Sequence, residues 1–153
     1  MKPSVLKHNS DQTNWFAVIV AGGSGKRFGG PKPKQFLKLN YKPVLKWSVD
    51  CFFSVPGLTT MVIVTHKDWI SETSDLFSGS PFKDRIIVTP GGKQRQDSCR
   101  LGLLALNDAS DAPVLIHDAA RPWVTSNLVT SVLNIVRTGH CVIPIVKATD
   151  SIV

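Results

Sequence analysis

Phe16-Ala17-Val18-Ile19-Val20-Ala21-Gly22-Gly23-Ser24-Gly25-Lys26-Arg27-Phe28 is the stretch on which the fold turns. Five consecutive apolar residues read as a strand buried on both faces, and such strands belong to parallel sheets covered by helices. The glycines that follow let the chain turn sharply and bring backbone N–H groups close to a ligand. Lys26 and Arg27 add positive charge where a polyphosphate would lie, and Pro33-Lys34-Gln35 brings another cation on a backbone stiffened by proline. Between Asp11 and Asp50 there is no carboxylate but seven basic residues: Lys26, Arg27, Lys32, Lys34, Lys38, Lys42 and Lys46. The segment reads as a holder for a highly charged anion. A solvated lysine-rich surface is the plainer alternative; it covers Lys38, Lys42 and Lys46 better than Arg27 and Lys34, which flank Gly/Pro turns.

Working outward, the same alternation recurs. Helical spacing of Val44, Leu45, Val49, Phe52 and Phe53 predicts a helix over Pro43–Phe53. A β-rich run, Thr60–Val64, precedes a short helix over Asp68–Phe77 with Trp69, Ile70, Leu76 and Phe77 on its apolar side. Ile86–Val88 is a third strand and Arg95–Leu106 a helix with Leu101, Leu104 and Ala105 inward. Val114–Ile116 is a fourth strand. Thr125 or Ser126 caps a helix running through Arg137 and ended by Gly139. Cys141–Val146 is a fifth strand. The fold class is therefore α/β: a mostly parallel sheet with helices on both faces. Ligands of such sheets bind outside the carboxyl ends of the strands. Ala21–Gln35, Pro90–Ser98, His117–Pro122 and Val146–Ser151 all fall there.

With 153 residues the chain has about one domain's length, and its 42% apolar content suits a packed core. A net charge of +7 fits phosphate-bearing partners. Its concentration near one loop favours a local anion site over a broad nucleic-acid face. No aromatics interleave with basic residues as in single-strand binders, so nucleic acid is not expected as a partner. The polar stretch Met1–Asn14 is expected to be a disordered tail, without an apolar signal segment, and no run reaches membrane-spanning length. Cys51, Cys99 and Cys141 lack ligand spacing and are expected as small buried hydrophobes in a reducing compartment, and the four tryptophans as packing residues. A cytoplasmic protein that does not use a membrane follows from these readings.

Each candidate cluster has a chemical and a plain reading. The first loop is not a Walker A motif, because Val20 takes the first glycine position and Arg27 replaces Ser/Thr. Nor is it a dinucleotide fingerprint: the third glycine is missing and the first acid beyond it is Asp50. What remains is a loop able to wrap a triphosphate, or simply a glycine-rich connection. Lys34 is placed to offset charge on a transferring phosphoryl group, or is a solvated turn lysine. In Pro90-Gly91-Gly92-Lys93-Gln94-Arg95-Gln96-Asp97-Ser98, the Gly91 and Gly92 amides and the Ser98 hydroxyl suit the edge of a base, and Arg95 suits phosphate. Otherwise the segment is a tight turn, with Asp97 and Ser98 in a helix's first turn. In His117-Asp118-Ala119-Ala120-Arg121-Pro122, Asp118 suits magnesium or ribose hydroxyls, unless it forms an ion pair with Arg121. His117, without a second ligand at metal spacing, reads as structural.

Taken in order and spacing, Ala21–Phe28, Pro33-Lys34-Gln35-Phe36-Leu37, Gly91–Ser98, His117–Pro122 and Val146-Lys147-Ala148-Thr149 make the chain resemble the 2-C-methyl-D-erythritol 4-phosphate cytidylyltransferase family from about Phe16 onward. The first motif is common among nucleotidyltransferases; Gly-Gly-x-x-Arg-x-Asp-Ser followed by His-Asp-Ala-Ala-Arg-Pro is far more specific. The resemblance implies a Rossmann-like fold of the nucleotidyltransferase type and a transferase of non-mevalonate isoprenoid biosynthesis that joins CTP to a sugar-alcohol phosphate with magnesium and releases pyrophosphate. It implies that Arg27 and Lys34 are the catalytic cations. Ala21, Gly22, Gly23, Gly25, Gly92, Arg95, Ser98, Asp118 and Arg121 are implied to bind nucleotide, with Asp118 near the metal, and Thr149 to contact the substrate phosphate. Residues 15–153 would then be the N-terminal portion of a nucleotidyltransferase domain. The family's dimerising arm would lie outside the chain, Lys93 stands where some members carry an acid, and Ala148 stands where an aspartate is often found. The alternatives are a sugar-phosphate nucleotidyltransferase and a truncated, non-catalytic nucleotide-binding remnant.

Overall fold

The computed structural model describes residues 14–23, 32–107 and 111–145. The Gly25, Lys26, Arg27 and Thr149 assignments and all but Asn14 of the expected tail over 1–14 lie outside them. In chain order the elements are β1 (Trp15–Ala21), a 3₁₀ turn (Lys34–Phe36), β2 (Lys38–Leu39), β3 (Lys42–Pro43), α1 (Val44–Phe53) and β4 (Leu58–Thr65). A 3₁₀ turn (Lys67–Trp69), α2 (Ile70–Phe77), a third 3₁₀ turn (Lys83–Arg85), β5 (Ile86–Pro90), α3 (Arg95–Leu104), β6 (Val114–Asp118) and α4 (Ser126–Ile135) complete the described chain.

Four strands form a sheet in the order β5-β4-β1-β6, parallel at every pairing. The α/β expectation holds, and the reason lies in β1. Ala17, Ile19 and Ala21 join Met61 and Ile63 on one face, where Leu45, Val49 and Phe52 of α1, Phe77 of α2 and Val129 of α4 cover them. Phe16 and Val18 join Val62, Val64 and Leu106 on the other. With helices on both faces, a polar side chain in β1 would be buried away from water, so this run is apolar throughout.

The second face is covered by α3 in a way the hydrophobic pattern hides. Leu104, expected inward, is 63% exposed, and the helix ends at Leu104 instead of running to Leu106. Its buried positions are Ser98 and Gly102, one turn apart. A Cβ on Gly102 would lie 2.4 Å from Val18 Cγ1 and 2.8 Å from Val64 Cγ2. Small residues let the helix backbone sit directly on the strands, and the valines beneath supply the apolar surface.

Other boundaries moved for local reasons. The short helix expected over Asp68–Phe77 begins as a 3₁₀ turn and becomes α-helical at Ile70. Thr125 caps α4 by accepting from the Leu128 N–H at 3.2 Å, as expected, but the helix ends at Ile135, before Arg137. The β2–β3 hairpin was not foreseen: its turn residues Asn40 and Tyr41 have φ of 49° and 64°, left-handed values reached here without a glycine. The fifth strand does not form over residues 141–145, which carry no regular structure. Cys51 and Cys99 are half-buried and Cys141 exposed, so the expectation of buried thiols fails. Trp123, expected to pack, is 80% exposed. Among the described residues no helix is long and apolar enough to cross a membrane.

Candidate functional site

Strand order reverses beside β1. From it the chain passes one way to β4 and β5, then returns to place β6 on the other side. At such a reversal the loops leave in opposite directions and open a crevice at the carboxyl edge. In register, Val20 faces Asp118, Ala21 faces Thr65, and Thr65 faces Pro90. The described parts of three segments singled out in the sequence, at 21–23, 90–98 and 117–122, are thus brought to one edge. Backbone hydrogen bonds tie them there: Ala119 N–H donates to the Val20 carbonyl at 3.0 Å and Gly91 N–H to the Thr65 carbonyl at 2.7 Å.

Ser98 lies between two glycine turns. Its hydroxyl accepts from Gly92 N–H at 3.2 Å and donates to the Gln94 carbonyl at 3.2 Å. A Cβ on Gly22 would be 3.6 Å from the same oxygen, so the turn after β1 and the turn after β5 meet over this one side chain. Side chains are excluded at Gly92, where a Cβ would fall 2.2 Å from Asp97 Cβ. Asp97 has the plain role foreseen for it: its carboxylate accepts from Gln94 N–H at 3.0 Å and, with the Gln94 side chain, closes a capping box on α3.

Asp118 is the electrostatic centre. One carboxylate oxygen accepts from Arg95 Nε at 3.0 Å and is ion-paired with Arg95 Nη2 at 2.9 Å, and the other is ion-paired with Arg121 Nε at 3.1 Å. The ion pair with Arg121 is the plain alternative the sequence offered; Arg95 as a second partner, from the first turn of α3, was not foreseen. Hydrogen bonding to Asp118, with its charge, raises the Arg95 guanidinium above its ordinary pKa. Both oxygens are engaged, and among the described residues no group of three or more His, Cys, Asp or Glu is gathered, so those residues do not fit a protein-built magnesium cage. Magnesium held mainly by nucleotide phosphates needs none.

His117 behaves as the structural residue it was read to be. Nε2 lies 3.0 Å from the Arg121 carbonyl and 3.4 Å from Ser48 Oγ, and the ring packs on Phe52 at 5.3 Å. Burial lowers its pKa below the ordinary value. The neutral ring donates from Nε2–H to the Arg121 carbonyl and so holds the turn that carries Arg121.

Lys34 is exposed on its 3₁₀ turn, while Pro33 before it is buried. The next residue, Gln35, was overlooked: its carboxamide Nε2 donates to the Ala21 carbonyl. Its only sequence signal was its place beside Lys34. Also unforeseen is Thr65, whose buried Oγ1 has no hydrogen-bond partner among the described residues.

A parallel sheet with a strand-order reversal, glycine turns at its carboxyl edge and arginines gathered about one carboxylate defines an α/β fold of the nucleotidyltransferase type. The family model described as IspD: 2-C-methyl-D-erythritol 4-phosphate cytidylyltransferase matches residues 15–153, and the chain belongs to this family. It is 34% identical over 136 residues to the enzyme of that name from Endomicrobium trichonymphae and 40% identical over 136 residues to that from Roseobacter denitrificans. Each match covers 89% of this chain and 59% of the relative, so the chain spans about three-fifths of their length. The crystal structure of 4-diphosphocytidyl-2C-methyl-D-erythritol synthase from Anaerococcus prevotii superposes with a TM-score of 0.68 at 27% identity, covering 81% of this chain and 51% of that one.

Proposed function

We propose that the chain carries the nucleotide-binding part of a cytidylyltransferase that converts CTP and 2-C-methyl-D-erythritol 4-phosphate to the diphosphocytidyl product and pyrophosphate. The observation that carries this reading is the convergence of the 21–23, 90–98 and 117–122 segments at the strand-order reversal, in a chain of this family. Ala21–Gly23 and Gly91–Gly92 present backbone to the nucleotide. Arg95, Asp118 and Arg121 form a charged rim that exchanges internal pairs for ribose and phosphate contacts when the nucleotide enters. Thr149 contacts the substrate phosphate.

A phosphate oxygen of the sugar-alcohol phosphate attacks the α-phosphorus of CTP. A new P–O bond forms, the bond from that phosphorus to the oxygen bridging the β-phosphate breaks, and pyrophosphate leaves with the electron pair. Lys34 and Arg27 offset the charge that grows on the equatorial and leaving oxygens. No protein nucleophile is required. Magnesium would arrive on the triphosphate.

The test is pyrophosphate release from CTP, magnesium and 2-C-methyl-D-erythritol 4-phosphate by the gene product. Lys34→Met is expected to lower the rate about 100- to 1,000-fold, as for other preorganised transition-state contacts. Release with a sugar 1-phosphate, and none with the methylerythritol phosphate, would instead place the chain with the sugar-phosphate nucleotidyltransferases.

A further inference from the structure

Gln35 is a polar side chain in a place where polarity is costly. Only 3% of it is exposed. A buried carboxamide without partners is strongly unfavourable, so its hydrogen bonds define why it is there. Nε2 donates to the Ala21 carbonyl at the end of β1 and lies 3.5 Å from the Gly23 carbonyl, in the glycine turn. The side chain thus spans from the 3₁₀ turn that carries Lys34 to the backbone that leaves the sheet.

That turn is itself anchored. Pro33 precedes it, the Phe36 ring lies 5.2 Å from Trp69 at the start of α2, and Lys32 Nζ sits 2.9 Å from Glu72 Oε1. Gly22 and Gly23 have the least restricted backbone of any residue type. A peptide unit is planar and trans, so a donor that holds the Ala21 carbonyl also sets the direction of the Gly22 N–H on the other side of the same plane. Gly22 is the residue that faces Ser98 across the crevice.

We propose that Gln35 is a positioning residue for the nucleotide: by bridging to the Ala21 and Gly23 carbonyls it aims the amides of the glycine turn at the phosphates and holds that turn in register with Lys34. The inference rests on the nucleotide-binding reading above. It does not make Gln35 a catalytic residue, because the side chain is buried behind the backbone it orients. A donor is needed, and a residue of equal size without one does not serve.

The test uses Gln35→Met, which keeps the volume and removes the donor, and Gln35→Glu, which keeps the shape and replaces the donor with an acceptor. Backbone ¹⁵N relaxation of the ligand-free chain is expected to show lowered order at Gly22 and Gly23 in both variants, with Ile19 and Val62 unchanged. Affinity for CTP and for inorganic triphosphate is expected to fall together by about tenfold or more, the size of one lost buried hydrogen bond. Relative to the wild type, Gln35→Glu is expected to recover triphosphate affinity as the pH is lowered, because the protonated acid again donates a hydrogen; Gln35→Met is not. Unchanged order at Gly22 and Gly23, loss of order spread evenly through the sheet, or undiminished triphosphate affinity would each overturn the proposal. A wild-type chain that binds neither CTP nor triphosphate removes the nucleotide reading itself and the ligand role of Gln35 with it. The relaxation data still decide whether Gln35 orders the turn, so the two failures are told apart.

Discussion

Two apolar runs in this chain come to opposite ends. β1, Trp15-Phe16-Ala17-Val18-Ile19-Val20-Ala21, is the centre of the sheet and almost wholly buried. Cys141-Val142-Ile143-Pro144-Ile145 is nearly as apolar, yet forms no strand and leaves Ile143 76% and Ile145 89% exposed. β1 has β4 on one side and β6 on the other, so its N–H and C=O groups are satisfied in both directions. Among the described residues no strand pairs with 141–145, and Pro144 removes a donor from the middle of the run. Hydrophobicity nominates a strand; a partner at hydrogen-bonding distance makes one.

The contrast can be broken most directly by truncation. Ile63→Ala in β4 is expected to cost about 2–5 kcal/mol in denaturant unfolding, the range for a buried isoleucine. Ile145→Ala is expected to stay within about 0.5 kcal/mol. If both cost the same, residues 141–145 pack in solution and the comparison fails. A smaller effect tests how closely the second face is packed. Gly102→Ala is expected to destabilise by about 1–2 kcal/mol, because crowding of Val18 and Val64 outweighs the gain in helix propensity. A stabilised variant would show that α3 can lift off the sheet without cost.

The third prediction sets β6 against that centre. His117, on this strand, is half-buried, and its folded pKa lies below the ordinary 6.5 because burial disfavours the charged ring. Between those two values the unfolded chain binds more protons than the folded one. The contribution to stability is therefore complete above about pH 6.5 and is lost as the pH falls towards the folded value. Melting temperature is expected to drop on acidification from about pH 7.5 to about 5.5, and His117→Gln, which still offers a donor to the Arg121 carbonyl, is expected to flatten that drop. An unchanged slope would show that His117 does not titrate with folding. The smallest effect is expected at Thr65, where Thr65→Val removes a buried hydroxyl that lacks a partner and is expected to raise stability by up to about 1 kcal/mol. A loss of that size would mean the hydroxyl is bonded in solution.

The gathering of three motif segments at one sheet edge was legible because each signal is local. A glycine turn after one apolar run, another after β5 and an acid ending a third run each mark the carboxyl end of a strand within a few residues. Thr125 as a helix cap is equally local. What escaped notice depends on distant partners. The Asp118 carboxylate draws in Arg95 from 23 residues away, and Gln35 reaches back 14 residues to Ala21. The inward face of α3 was misread because close packing there selects small residues, whereas pattern reading looks for large ones.

The sequence alone determined the class of element at most positions and the family of the chain, since periodicity and short motifs are written in consecutive residues. Only the tertiary structure decided which strands lie side by side, which apolar run is buried, and which polar side chains hold the glycine turn and the arginines in place. Those outcomes depend on hydrogen bonds and contacts between residues far apart in the chain, and no stretch of sequence contains its own partner.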